Sequence, residues 1–134
     1  VVGSVSDVIS DRPENVTLAG FVDEIEPYYD AADIALNPMR FGGGTNIKVL
    51  DYFARSLPVL STPFGMRGFE GAGEEIAITA ELSEFPDSIK ELQDNVSLRE
   101  RLRSNGRKYV QASYTWESIS QGLRKEIHNQ FNIE

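Results

Sequence analysis

Apolar and polar positions alternate in short blocks along the chain, and the blocks change character in a regular order. Val1–Val5 reads as a short strand and Asp7–Asn15 leaves room for one or two helical turns. Val16-Thr17-Leu18-Ala19 reads as a second strand, stopped by Gly20. Asp23-Glu24-Ile25-Glu26 has the form of a helix start, a carboxylate cap with Glu three residues later, and the helix is expected to run to about Ala32. Asp33-Ile34-Ala35-Leu36 is a third strand, broken by Asn37-Pro38. After Gly42-Gly43-Gly44 the spacing predicts a helix from about Thr45 to Ser56, with Ile47, Leu50, Ala54 and Leu57 facing the sheet. Pro58-Val59-Leu60-Ser61-Thr62 is short and apolar, as a buried parallel strand should be. Phe64 to Gly73 is a loop containing Gly65, Gly68, Gly71 and Gly73, and Ile76-Ala77-Ile78 is a candidate last strand. From about Pro86 the chain looks helical to near its end, with weak points at Asn105-Gly106 and Tyr114-Thr115.

Strands that alternate with helices and are themselves apolar imply an α/β fold: a Rossmann-like open parallel sheet with helices on both faces. With no internal repeat or linker in view, residues 1–134 read as a single domain. Composition agrees, since 134 residues with 40% hydrophobic and 25% charged positions suffice for one core. The chain opens on Val1-Val2-Gly3 in the middle of an expected strand, so it is taken as a fragment of a longer protein.

Charge and residue inventory narrow the chemistry. Thirteen basic against 21 acidic residues give a net charge of −8, which argues against general affinity for nucleic acid or an anionic membrane. No apolar run reaches the ~20 residues of a membrane span, and no secretory leader is visible. The absence of cysteine removes disulfides, thiolate metal sites and cysteine nucleophiles. No His, Asp or Glu cluster has metal-ligand spacing, and the sole histidine, His128, falls in the last helix, away from the ligand edge. No metal and no cofactor are expected.

Open parallel sheets bind ligands beyond the carboxyl ends of their strands. The segments expected there are Gly20–Asp23, Pro38–Asn46 and Thr62–Gly73. Gly42, Gly43 and Gly44 let backbone N–H groups approach a ligand with no Cβ in the way. They feed a helix N-terminus, whose unpaired N–H groups and dipole favour phosphate. Thr45 and Asn46 could add side-chain donors and Lys48 a positive charge. Asp51 stands three residues after Lys48 and six after Thr45, roughly 9 Å along a helix at ~1.5 Å per residue. A carboxylate there suits a hydroxylated sugar such as ribose. The plainer alternative stays open: a flexible glycine loop, with Lys48 and Asp51 as a surface ion pair. Arg67 is the lone cation of the second loop and could reach an anion. G-x-x-x-x-G-K-[ST] and G-x-G-x-x-G are both absent, so neither a P-loop nucleotidase nor a dinucleotide dehydrogenase is indicated.

Several segments in order resemble one family. Val16–Val22, Tyr29, Ala32–Leu36 with Pro38, Gly42–Ala54, Pro58–Thr62 with Gly65 and Gly68, Leu98-Arg99, Gly106-Arg107 and Tyr114–Glu117 are similar to the C-terminal, donor-binding half of GT-B glycosyltransferases of the large retaining family 4. The resemblance implies a nucleotide diphosphate sugar as donor. It places the diphosphate at Gly43, Gly44, Thr45 and Asn46, to which the residue reading adds Gly42 and Lys48, the ribose at Asp51, and the nucleobase near Phe21 and Val22. It leaves the catalytic residue unassigned. The family's paired glutamates, eight positions apart, fall here on Gly43 and Asp51. An acceptor glycan or lipid-linked glycan is implied through an N-terminal domain, and a cytoplasmic setting, reaching to the inner face of the membrane through parts outside this chain. The isolated chain is expected to bind nucleotide without catalysing transfer. Three other readings are a non-catalytic nucleotide-binding or interaction module of the same fold, a GT-B-shaped sugar-nucleotide epimerase, and a flavodoxin-like receiver. The epimerase would need histidines at the edge, and the receiver would need clustered acids there.

Overall fold

A computed structural model describes residues 1–69, 72 and 75–131. Contacts gather into two compact units, Val1–Ala31 and Ala32–Glu134.

In the first unit the two expected strands contract to one parallel bridge between Val2 and Gly20. Gly3 N–H donates to Gly20 O at 2.6 Å, and Ala19 N–H to Val1 O at 2.9 Å. Gly3 adopts φ 107, which ends the extended run and starts a 3-10 turn at Ser4–Val8. Helix α1 is Glu26–Asp30, without a side-chain cap from Asp23. Pro27 explains the later start: a residue with no N–H sits in a helix's first turn. Phe21 is exposed and Val22 half-buried in this unit.

The second unit holds a three-stranded, all-parallel sheet in the order β1-β2-β3, formed by β1 (Ala35–Asn37), β2 (Val59–Ser61) and β3 (Ala77–Thr79). Register pairs Ala35 with Val59 and Ala77, Leu36 with Leu60 and Ile78, and Asn37 with Ser61 and Thr79. Successive strand residues point to opposite faces. All three residues of β2 are buried, so both of its faces are covered. Leu60 meets Phe85 and Leu92 of α3 (Phe85–Asp94) and Leu102 of α4 (Val96–Ser113). Removing each of these side chains from water contributes ~1.5–3 kcal/mol. Helix α2 (Ile47–Ala54) supplies nothing to that cluster yet also packs on β2, on the face of Ala35, Val59 and Ala77. The open parallel sheet expected from the sequence is therefore present. Cover is incomplete at the edge strand, where Leu36 is 43% exposed.

Two expectations about the helices change. Helix α2 turns Val49 and Phe53 inward, with Asn46 before it and Leu57 after it, and leaves Ile47 70% exposed. The buried stripe therefore runs through 46, 49, 53 and 57, not 47, 50, 54 and 57. Both sets have helical spacing, and the larger ring decides between them: Phe53 offers more apolar area than Ala54.

The C-terminal helical stretch breaks at Asn95 and at Tyr114-Thr115, but not at Asn105-Gly106. At the first break the Asn95 side chain accepts from Leu98 N–H at 3.0 Å, which starts α4 afresh. At the second, Thr115 Oγ1 accepts from Ser118 N–H while Ser118 Oγ accepts from Thr115 N–H, both at 3.1 Å, and α5 (Trp116–Phe131) follows. Gly106 stays helical because it is a packing residue. A Cβ on it would lie 2.6 Å from Phe53 Cδ1.

Candidate functional site

The carboxyl ends of β1 and β2 carry polar side chains where the rest of both strands is apolar. Asn37 and Ser61 are fully buried, side by side in register. Asn37 Nδ2 donates to Ser61 Oγ at 3.1 Å and to Gly65 O at 3.0 Å. Asn46, just before α2, donates from Nδ2 to the same Gly65 carbonyl at 2.7 Å. Thr62 adds two links: its Oγ1 accepts from Gly65 N–H at 3.0 Å and donates to Met39 O. One buried peptide therefore ties both strand ends to the helix tip. Gly65 is required there, since a Cβ would fall 2.4 Å from Ser61 Oγ and 2.5 Å from Asn37 Nδ2.

Above this knot the two loops after β1 and β2 meet. Gly42 and Gly44 take φ 144 and φ 70, conformations open to glycine and strained for other residues. Gly43 has a negative φ, and open space surrounds the position of its missing Cβ. Gly42, Gly43, Gly44 and Thr45 are all exposed. Opposite them, Arg67 Nη2 donates to Gly42 O at 3.1 Å and Gly44 O at 3.4 Å. Its guanidinium carbon lies 3.8 Å from the Phe64 ring centroid, within cation–π range. Gly68, at φ 89, lets the second loop approach so closely that a Cβ would lie 2.8 Å from Thr45 Oγ1. Of the loop glycines singled out in the sequence, Gly71 and Gly73 lie outside the described residues.

The residues expected to bind ligand are thus distributed unequally. Gly42, Gly43, Gly44 and Thr45 line the exposed rim. Asn46 is buried, with its amide turned to Gly65 and so part of the support below the rim. Lys48 and Asp51 are exposed on α2 and do not pair with each other, so the surface ion pair is not formed. Partial desolvation lowers the pKa of the Lys48 ammonium below the usual lysine range. Sequence reasoning missed Asn37, Ser61 and Thr62 as organisers of the edge. The available signal was polar residues ending two apolar strands. Among the described residues, no group of three or more His, Cys, Asp or Glu could hold a metal ion, and no helix is long and apolar enough to cross a membrane.

An open parallel sheet with a glycine rim and a helix tip at its carboxyl edge defines a Rossmann-like half-domain, and comparison with known proteins supplies its family. Residues 2–95 match the family model described as glycosyl transferases group 1, and the chain belongs to that family. It is 28% identical over 105 residues to an uncharacterized 44.6 kDa protein of the cps region of Klebsiella pneumoniae, covering 78% of this chain and 27% of that one. It is 27% identical over 108 residues to a putative glycosyltransferase of a virus (isolate Australia/Victoria), covering 81% and 33%. Among solved structures it is similar to sucrose-phosphate synthase from Thermosynechococcus elongatus, with TM-score 0.66, 22% identity, and coverage of 84% of this chain and 30% of that one. It is also similar to the C-terminal domain of a group 1 glycosyl transferase from Francisella tularensis, with TM-score 0.61, 21% identity, and coverage of 72% and 54%. The fold is that of GT-B C-terminal domains. The chain spans about a third or less of the length of the curated relatives it matches.

Proposed function

We propose that this chain is the donor-binding part of a glycosyltransferase that moves a sugar from a nucleotide diphosphate sugar to an acceptor hydroxyl. The observation that carries the reading is the meeting of an exposed glycine rim, the N-terminal end of α2 and the Arg67 loop at the carboxyl edge of a parallel sheet. Gly42, Gly43, Gly44 and Thr45 would receive the diphosphate against backbone N–H groups and the positive end of the helix dipole. Asn46 would hold the helix tip in place from below. Lys48 would add charge from the first turn, and Asp51 would take the ribose hydroxyls further along α2.

In such a reaction negative charge grows on the leaving diphosphate as the glycosidic bond lengthens. Donors already aimed at that charge lower the barrier without reorganising. On this reading the acceptor is held by parts of the intact protein outside this chain, and the 134-residue chain alone binds nucleotide without transferring sugar. Titration with UDP and GDP, followed through the backbone amides of residues 43–46, tests it. Shifts localised there are expected, with uridine and guanosine giving much weaker effects. No shift with either diphosphate would leave a fold without the donor site, as in a non-catalytic interaction module.

A further inference from the structure

We infer that Arg67 is a movable counter-ion of the donor site: it fastens the glycine rim when the site is empty and transfers its guanidinium to the diphosphate when nucleotide arrives. The inference rests on the donor-site reading above and adds a residue and a coupling to it. Among the described residues, the hydrogen-bond acceptors of Arg67 are two backbone carbonyls, Gly42 O and Gly44 O, both served by the same nitrogen, Nη2, at 3.1 and 3.4 Å. Its Nε is buried with no hydrogen-bond partner. A guanidinium carries five N–H donors in a rigid fork suited to carboxylate or phosphate. Arg67 therefore sits at the rim with most of its donor capacity unspent on anions.

The surroundings hold the side chain ready for that exchange. Stacking on Phe64 fixes the plane of the fork without consuming its N–H groups. Gly65 on one side is locked by Asn37 and Asn46, and Gly68 on the other presses on Thr45, so the base of Arg67 is tied to the tip of α2. A neutral carbonyl is a weaker acceptor for a cation than a phosphate oxygen, which carries negative charge and can take two parallel N–H groups of the fork at once. Only the far end of the side chain needs to swing for the exchange. When it does, Gly42 and Gly44 lose their tether, so anion binding and rim mobility become linked.

The test compares the unaltered chain with Arg67→Met and Arg67→Lys, using inorganic pyrophosphate, UDP, GDP and the two nucleosides as probes. Arg67→Met keeps an apolar stem against Phe64 and is expected to weaken pyrophosphate and both diphosphates by roughly 10- to 100-fold, with nucleoside binding unchanged. Arg67→Lys is expected to recover part of that loss. An equal loss for nucleosides and pyrophosphate, or none for pyrophosphate, overturns the inference while the donor site stands. Failure of the unaltered chain to bind any diphosphate removes the donor site and this inference with it. Should Arg67→Met fail to fold, the Nε–H resonance of Arg67 in the unaltered chain decides. It is expected to move on addition of pyrophosphate, and a static signal at saturation overturns the exchange.

Discussion

Gly106→Ala sets two well-understood effects against each other, and the structure says which wins. In an open helix the substitution stabilises by about 0.8–1 kcal/mol, because alanine gives up less conformational freedom than glycine. Here the added Cβ would sit 2.6 Å from Phe53 Cδ1 and 3.3 Å from Phe53 Cγ and Cε1, where carbon atoms prefer about 3.5–4.0 Å. The ring has little room to yield. Phe53 is fully buried and meets Phe69 edge-on at 6.3 Å and Tyr109 at 6.4 Å. Overpacking of this kind costs about 1–3 kcal/mol, so the net expectation is destabilisation of up to roughly 2 kcal/mol once the helix gain of about 0.8–1 kcal/mol is subtracted. Urea denaturation followed by circular dichroism reads it as a lower midpoint at unchanged slope. Adding Phe53→Leu should make the two changes less than additive, since the smaller side chain removes the clash. A Gly106→Ala chain that is more stable than its parent would show that α2 and α4 do not approach this closely.

Three further outcomes follow from the site. Gly43→Ala should leave stability within about 0.5 kcal/mol, as surface changes do, because Gly43 has a negative φ and open space around it. If the rim receives phosphates, it should still weaken pyrophosphate in calorimetry, and unchanged affinity would move the phosphates elsewhere. Asp51→Ala should weaken UDP and GDP far more than pyrophosphate, and equal losses would remove the ribose role. Lys48 has a lowered pKa in the folded chain, so its desolvated ammonium costs stability while charged. That cost is relieved as pH rises through the lowered folded value toward the ordinary lysine value. Affinity for pyrophosphate should run the opposite way and fall over the same interval as the ammonium is lost, and Lys48→Gln should flatten that part of the profile.

The sheet was legible in the sequence because its strands are short apolar runs that alternate with helical segments. The strands of the first unit were overread, because Gly3 and Gly20 punctuate runs too brief to extend past one bridge. In α2, period alone could not choose between stripes one residue apart; ring size did. Gly106 looked like a helix breaker because a lone sequence shows the flexibility of glycine but not the neighbour that requires its small size. The rim glycines and Arg67 were visible as residue types. That Arg67 bridges back onto Gly42 and Gly44 depends on two loops more than twenty residues apart meeting in space, which no local pattern records.

The amide knot beneath the rim bears on how the chain finds its fold. Valine, leucine and isoleucine tolerate a shifted alignment of neighbouring parallel strands, since one greasy contact replaces another at little loss. Asn37, Ser61 and the Gly65 peptide do not: sliding β1 by a single residue against β2 would bury several polar groups without partners, each costing about 1–3 kcal/mol. Misaligned forms are thereby penalised at the same edge where the donor is proposed to bind. A chain whose strands have paired wrongly lacks that edge altogether, so an intact edge doubles as a check that assembly went right.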